Sequence, residues 1–222
     1  MESQQIITAV NNCLKSLSLP VKVGIILLVF TFVCSHLPAQ KIWEERKGCV
    51  SSQGNLAPGY LFAQKSVTAY FDGDIEMFLD DRYAPTGAIW LSFATTDKSQ
   101  VGVRANHAIF WGFNYHFLKP SRFDPFIGIT PGIGLARAGY QTEEGIKLTP
   151  YSPVPLIATT IGCNYYVGSI FHFFVKVQGV AGQMFSTLPV PKRLDELKFL
   201  AGLGWNIRVY KPKKHSHWGK EV

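Results

Sequence analysis

Residues 126–138 read FIGITPGIGLARA and decide the fold, because large apolar and small side chains alternate along them. The large set is Ile127, Ile129, Ile133 and Leu135, and the small set is Gly128, Thr130, Gly132, Gly134 and Ala136. A period of two places the two sets on opposite faces of a β-strand. The stretch therefore predicts a long strand with one large apolar face and one face of small residues.

Four further segments alternate in the same way, at residues 103–117, 156–167, 171–181 and 197–210. These segments are longer than the roughly five or six residues usual in soluble sheets, and they match the roughly 9–11 residues of a membrane-spanning strand. Shorter alternating segments at residues 67–71, 75–79 and 88–95 raise the count to seven or eight. Because bacterial barrels have even strand numbers, we predict an all-β, antiparallel, up-and-down transmembrane β-barrel of eight strands.

The chemistry of the two faces indicates which of them points inward. In soluble barrels the large apolar side chains fill the interior and charged side chains cover the surface. Here the face opposite the large residues is rich in Gly, Ala, Asn and Thr, with scattered charges. Small residues suit the crowded interior of an eight-stranded barrel, so we predict that the large residues face lipid. A soluble ligand-binding β-barrel of the reverse orientation is an alternative.

Residues 23–33, VGIILLVFTFV, form an uncharged apolar run that two lysines precede. The run is shorter than the roughly 20 residues of a membrane-spanning helix. Pro-Ala-Gln follows at residues 38–40, which completes the pattern of a secretory signal peptide. We predict that residues 1–40 are cleaved and that the mature chain begins at Lys41, with an uncleaved anchor as the alternative.

The remaining chain divides by pattern into three parts. Residues 41–64 show no sustained period and are predicted to be a periplasmic lead-in, residues 65–210 the barrel, and residues 211–222 a basic C-terminal tail. The tail holds His215 and His217, but metal binding there lacks a second pair of ligands.

Short and long connections alternate between the predicted strands. Residues 119–124 and 168–169 are short, as periplasmic turns are, whereas residues 139–153 and 185–196 are longer, polar and proline-bearing, as extracellular loops are. We predict the two long loops to be the surface that contacts an extracellular ligand.

Composition limits the class of protein. Apolar residues make up 47% of the 222 residues and charged residues 17%. This high apolar and low charged content excludes a disordered chain. The net charge is +7. Beyond residue 40 the cysteines are Cys49 and Cys163, which lie in different sequence environments. Two alternatives stay open: the two cysteines form a disulfide, or both are free thiols. Export makes nucleic acid an unsuitable partner for the basic charge.

Residues 122–134, RFDPFIGITPGIG, resemble the PF-x-G-x-x-x-G-x-G strand of small Gram-negative outer-membrane β-barrel proteins, the OmpA/OmpX-like group. Residues 202–209, GLGWNIRV, resemble the closing strand of that group, although the chain continues to Val222 and the first signal position is Gly202 rather than a polar residue. The resemblance covers residues 65–210. It implies a cell outer-membrane location, contact with outer-membrane lipid and lipopolysaccharide, and handling by the barrel assembly machinery.

Catalytic motifs were sought because some small barrels of this kind are lipid A deacylases. Those enzymes carry a His-x-Ser pair on one strand face, and neither His107 nor His116 has Ser two residues later. G-x-S-x-G and H-E-x-x-H are absent from the sequence. We therefore predict no catalytic, cofactor-binding or metal-ligating residue, with a lipid A deacylase-like hydrolase as an alternative.

Charged residues on the small-residue face give the last sequence-based expectation. They are Arg104, Lys176, Lys198 and Arg208 together with Glu76 and Asp80. Eight strands leave little bore, so we predict that these groups form ion pairs that fill the lumen. The predicted function is a non-enzymatic outer-membrane barrel with a structural or surface-interaction role.

Overall fold

The computed structural model describes residues 45–96, 101–185 and 193–210, in which the regular structure is all β-strand. The strands are β1 (Cys49–Leu61), β2 (Ser66–Met77), β3 (Tyr83–Thr95), β4 (Gly102–His116), β5 (Phe123–Thr142), β6 (Gly145–Leu148), β7 (Ser152–Tyr166), β8 (Phe171–Gly182) and β9 (Glu196–Arg208). The predicted signal peptide, the basic tail and most of the predicted loop at 185–196 lie outside the described residues. Across the described ranges, no helix is long and apolar enough to cross a membrane.

Eight of these strands close into a barrel, as predicted. The sheet order is β4-β3-β2-β1-β9-β8-β7-β5, and an additional pairing of β4 with β5 completes the ring. Every neighbouring pair is antiparallel. Strand β6 pairs only with the last residues of β5 and stands outside the ring. A closed, eight-stranded antiparallel barrel is therefore the fold of this chain.

The prediction of a lead-in over residues 41–64 is wrong for Cys49–Leu61, which form β1 and close the barrel by pairing with both β2 and β9. The pattern failed here because the outward positions of β1 include Ser52, Gly54 and Pro58 rather than large apolar residues. Pairing with β9 is interrupted at residues 55–58, around a proline that has no N–H to donate.

The predicted segments 67–71 and 75–79 are not two strands, because Ser66–Met77 form the single strand β2. Asp72-Gly73-Asp74 reads as a turn in sequence, yet its aspartates point inward and its glycine takes an outward position. The strand count of eight was therefore right through two compensating errors, one strand missed and another divided.

A β-bulge changes the predicted face of one residue at the start of β4. The register with β5 shifts between Val103 and Ala105, which reverses the alternation there. Val103 is consequently buried in the interior instead of sharing the outward face of Ile109 and Phe113.

The connections define two unlike rims. The start of β1 pairs with the end of β9 at one rim, here called the terminal rim, where turns at 78–82, 117–122 and 167–170 join the strands. At the opposite rim, here called the loop rim, the predicted loop at 139–153 is mostly strand, because β5 continues to Thr142 and β6 returns as a hairpin. Gly145 has a φ of +119° at this turn, a conformation that L side chains rarely adopt.

Candidate functional site

The outer surface carries a lipid-facing belt of large apolar side chains on all eight barrel strands. Its members are between 42% and 66% exposed: Leu56, Phe71, Ile75, Ile89, Leu91, Ile109, Trp111, Phe113, Ile127, Ile129, Ile133, Leu135, Ile157, Ile161, Phe173, Val175, Phe199, Leu203 and Trp205. A continuous apolar surface of this extent does not occur on soluble monomers, where patches cover a few hundred Å². It is the surface of a membrane-spanning barrel, and the predicted outward orientation of the large residues is confirmed.

The interior changes in character from one rim to the other. Charged and hydrogen-bonding side chains fill the terminal end and the centre. Apolar side chains fill the loop end and belong to one cluster, here called the apolar cluster; its large members include Leu61, Tyr70, Trp90, Phe110, Leu156, Met184 and Leu194. The interior-facing groups are the candidate functional residues, because a charge buried in a membrane barrel needs a specific partner.

Asp124 on β5 organises the terminal end. One carboxylate oxygen lies 2.9 Å from Nη2 of Arg46, and the other lies 2.8 Å from Nδ1 of His116. The second oxygen also accepts a hydrogen bond of 3.1 Å from the Tyr166 hydroxyl. All four residues are fully buried. This Asp124 cluster draws residues from β4, β5, β7 and the segment before β1, so it ties distant parts of the chain together.

Arg46 reaches the Asp124 cluster from the segment that precedes β1. Its backbone N–H donates to Asp81 Oδ1 at 2.8 Å, and Nη1 donates to the backbone oxygens of Asp81 at 3.1 Å and Leu118 at 3.4 Å. Its guanidinium carbon lies 5.6 Å from the Phe78 ring centre. Asp81 and Leu118 belong to two turns of the terminal rim, so Arg46 fastens this segment across that rim.

Glu76 on β2 extends the charged network towards the centre. Asn114 donates a hydrogen bond to one of its oxygens, and Nε2 of His116 lies 3.8 Å from the other. His116 therefore stands between two buried carboxylates, those of Asp124 and Glu76. The rings of Phe78 and Phe126 flank its imidazole at 4.8 and 5.3 Å.

Two ion pairs cross the centre of the barrel from β2. Lys176 on β8 binds Asp74, and Lys198 on β9 lies 3.3 Å from Asp72. The Lys198 ammonium also lies 3.3 Å from the Trp90 ring centre and 4.1 Å from that of Tyr70. The aromatic faces give Lys198 cation–π contacts, so this charge is stabilised where the polar interior meets the apolar cluster.

Glu196, at the start of β9, accepts a hydrogen bond of 2.9 Å from the buried Tyr70 hydroxyl. Gly59 on β1 makes room for this carboxylate, because a Cβ atom at that position would lie 1.8 Å from Glu196 Oε1. Gln53 on the same strand contacts Nε2 of His172 at 3.0 Å and Asn164 at 3.3 Å. Polar side chains thus meet across the interior along most of its length.

The structure confirms part of the predicted lumen set and corrects the rest. Glu76, Lys176 and Lys198 are buried inside the barrel, whereas Arg104 is half-buried at the bulge of β4. Arg208 is exposed at the terminal rim and donates to the backbone oxygen of Glu45, and Asp80 accepts backbone hydrogen bonds in the exposed turn after β2. Both lie past the last interior position of their strands.

Sequence reasoning missed Arg46, Asp72, Asp74, Asp124 and Glu196. The two aspartates of β2 fell between the predicted segments 67–71 and 75–79, and Asp124 fell in the predicted connection at 119–124. Arg46 gave no signal, because it belongs to no strand and its burial depends on distant residues. If the alternation of β2 had been continued through Gly73, its even-numbered, inward positions would have included Asp72 and Asp74.

The buried charged groups pair with one another across the interior. His116 and Asp124 are arranged as a base and its orienting carboxylate are, but the second nitrogen of His116 faces Glu76 rather than a hydroxyl or thiol. Cys49 and Cys163 are not bonded to each other. In the described part of the chain, no group of three or more His, Cys, Asp or Glu side chains is placed to hold a metal ion.

The chain matches no family model and no curated protein. Among solved structures it is similar to the N-terminal β-barrel domain of Pseudomonas aeruginosa OprF, with 15% identity, a TM-score of 0.45, and coverage of 72% of this chain and 98% of that one. It is similar to Yersinia pestis Ail, with 9% identity, a TM-score of 0.47, and coverage of 72% and 99%. It is also similar to Pseudomonas aeruginosa OprG, with 13% identity, a TM-score of 0.48, and coverage of 73% of this chain and 97% of that one.

Proposed function

We propose that this protein is a non-enzymatic outer-membrane barrel whose interior is closed by its own side chains and whose loop rim contacts an extracellular partner. One observation carries the proposal: the large apolar side chains lie outside the ring and the ion pairs lie inside it. A soluble ligand-binding barrel requires the opposite arrangement, an apolar cavity within and charges without.

The filled interior supports a structural role over transport. The Asp124 cluster, the central ion pairs and the apolar cluster follow one another along the barrel. Large buried side chains such as Trp90, Tyr70 and Phe110 occupy the loop end, where a solute would have to pass. Eight strands enclose room for side chains and not for a channel beside them.

The loop rim supports the surface-interaction role. The hairpin of β5 and β6 rises beyond the ring, and Ile146 and Leu148 are exposed on it beside the ion pair of Lys147 with Glu144. Exposed apolar groups next to charges are typical of contact surfaces. We assign the extracellular contact to residues 139–153 and, as the sequence suggested, to residues 185–196.

The proposed location follows from the barrel and from the N-terminal segment. Residues 1–40 have the pattern of a cleaved signal, and β9 contains the segment that resembles the closing strand read by the assembly machinery. Outer-membrane lipid and lipopolysaccharide would then surround the lipid-facing belt. The terminal rim would face the periplasm and the loop rim the exterior.

The test uses the full chain expressed with its own N-terminal segment in a Gram-negative host. We expect the protein to stay with membranes after a urea wash, to migrate differently on a gel before and after boiling, and to have a mature mass that begins at Lys41. Soluble protein with unchanged migration would instead support a ligand-binding barrel. In planar bilayers we expect no steady conductance, and an open channel would overturn the closed interior.

Orientation is tested by labelling intact cells with a membrane-impermeant maleimide, using a chain in which Cys49 and Cys163 are changed to Ala. Glu144→Cys at the tip of the hairpin is expected to react, because this side chain is 78% exposed. Lys119→Cys is the matched control, since Lys119 is exposed in a turn of the terminal rim. Reaction of Lys119→Cys alone would reverse the proposed orientation.

A further inference from the structure

Three polar side chains meet on the outer surface where the lipid-facing belt ends at the loop rim. Just beyond the apolar residues of the outer face, on the side of the loop rim, lie His107 on β4, Arg137 on β5 and Tyr151 immediately before β7. Arg137 pairs with Ala105, and His107 pairs with Leu135 on the same face. Tyr151 stands one step beyond the pair of Ser152 with Ala136, which brings it beside Arg137.

Tyr151 contacts both of the other side chains. The guanidinium carbon of Arg137 lies 5.6 Å from the Tyr151 ring centre, and the His107 ring centre lies 6.0 Å from the same point. The aromatic face of Tyr151 gives the guanidinium a cation–π contact. Three elements thus present one preformed polar surface, here called the Arg137 surface.

The Arg137 surface has donor capacity that the protein does not use. In the described part of the chain, Nε of Arg137 and Nδ1 of His107 are shielded from solvent and have no hydrogen-bond partner. No ion pair of the described residues includes Arg137. On the adjoining hairpin, Glu144 is paired with Lys147 at 2.6 Å. Arg137 is half-buried and has no counterion among the described residues, so the surface is suited to an anion.

The position of the surface identifies the class of anion. Ile109, Ile133 and Leu135 lie directly below it on the same face of β4 and β5, and all three are exposed apolar residues. The eight steps from Ile127 to Leu135, at about 3.3 Å each and a tilt near 40°, span roughly 20 Å, most of a belt about 25 Å tall. The Arg137 surface therefore lies at headgroup height, immediately above the acyl chains.

We propose that Arg137, His107 and Tyr151 bind the phosphate of a phosphorylated lipid in the leaflet at the loop rim, with its acyl chains along Ile109, Ile133 and Leu135. Guanidinium binds phosphate through two parallel N–H···O bonds, which an ammonium group does not offer. The assignment rests on the proposed outer-membrane location, and it names one lipid contact of the belt.

The test measures lipid retention by native mass spectrometry on the mature chain in maltoside micelles, which contain no phosphate. The probes are lipid A, the same lipid without its phosphates, and inorganic phosphate. We expect lipid A to bind, the phosphate-free form to bind about tenfold more weakly, and Arg137→Gln to weaken lipid A binding by about tenfold. Arg137→Lys, which keeps the charge and loses the two-bond geometry, is expected to fall between.

Arg208→Gln is the matched control, because Arg208 is an exposed guanidinium at the terminal rim. Equal binding of the two lipid forms, or an Arg137→Gln variant with unchanged binding, would overturn the proposal. Displacement of lipid A by a comparable concentration of inorganic phosphate would make this a simple anion site and overturn the lipid assignment. Heat-dependent gel migration is recorded for every variant, so that failure of the barrel itself is distinguished from failure of lipid binding.

Discussion

The terminal and loop ends of the barrel interior are filled in opposite ways. At the terminal end, Asp124 satisfies Arg46, His116 and Tyr166 at once, so each of these groups depends on a particular partner. At the loop end, the apolar cluster around Trp90 depends on volume and contact. The same alternation of small and large residues along the strands permits both solutions. We therefore expect the terminal end to be sensitive to loss of a charge and the loop end to be sensitive to loss of volume.

The largest expected effect follows removal of the Asp124 charge. Asp124→Asn keeps the side-chain volume but leaves the guanidinium of the fully buried Arg46 without its carboxylate. We expect the free energy of unfolding to fall by about 3–5 kcal/mol, the usual cost of breaking a buried ion pair from one side. Urea titration of the barrel refolded in lipid vesicles, followed by gel migration, measures this change.

The double variant Arg46→Met with Asp124→Asn is the control for this prediction. It removes both charges, so its cost is expected to be smaller than the sum of the costs of the two single variants. If the double variant lost as much unfolding free energy as the two single variants together, Arg46 and Asp124 would act independently. That result would contradict the pairing of these residues at the terminal end.

A volume change is expected to have the next largest effect, at the loop end. Leu156 is buried in the apolar cluster, and Leu156→Ala is expected to cost about 2–5 kcal/mol through the cavity it leaves. Leu156→Met, which conserves volume, is expected to cost less than about 1.5 kcal/mol. The same urea titration tests both variants. If Leu156→Met were as harmful as Asp124→Asn, the proposed difference between the two ends would be lost.

The third prediction concerns the outer surface, where side chains neither form ion pairs nor pack into a core but contact lipid. Ile129, Val175 and Leu203 are exposed members of the lipid-facing belt, and each changed to Arg is expected to cost about 2–4 kcal/mol near the bilayer midplane. Spin labels at these three positions are expected to be quenched by lipid-soluble oxygen. Labels at the buried neighbours Thr130 and Lys176 are expected to be protected, and the reverse result would contradict the assigned faces.

The fold was predictable from sequence wherever the outward positions held large apolar residues without interruption. Strands β5, β7, β8 and β9 meet that condition, and their faces were assigned correctly. Strands β1 and β2 do not, because Gly54 and Gly73 take outward positions and remove the apolar signal. A glycine on the lipid face costs little in the structure, yet it breaks the pattern by which a strand is recognised.

The interior was predictable only for charges that lie within a recognised strand. Lys176 and Lys198 lie within alternating segments, so their burial could be inferred. The partners of Arg46 lie 35 to 78 residues away along the chain, in Asp81, Leu118 and Asp124. No local pattern encodes such a contact, because it exists only once the ring has closed and the terminal turns have come together.

The smallest expected effects come from adding a single methyl group to interior glycines, and they sharpen the same comparison. A Cβ at Gly132 would lie 2.4 Å from the Phe110 ring and 2.6 Å from the backbone oxygen of Ile109, which cannot move without disturbing the sheet. A Cβ at Gly204 would meet the imidazole of His172 at 2.3 Å, which is side chain rather than backbone. We therefore expect Gly132→Ala to cost about 1–3 kcal/mol and Gly204→Ala to cost less.

Gly54→Ala is the control and is expected to be near neutral, since nothing lies within 4 Å of its Cβ position. Urea titrations in which Gly204→Ala proved the more harmful would mean that the polar part of the interior is packed as rigidly as the apolar cluster.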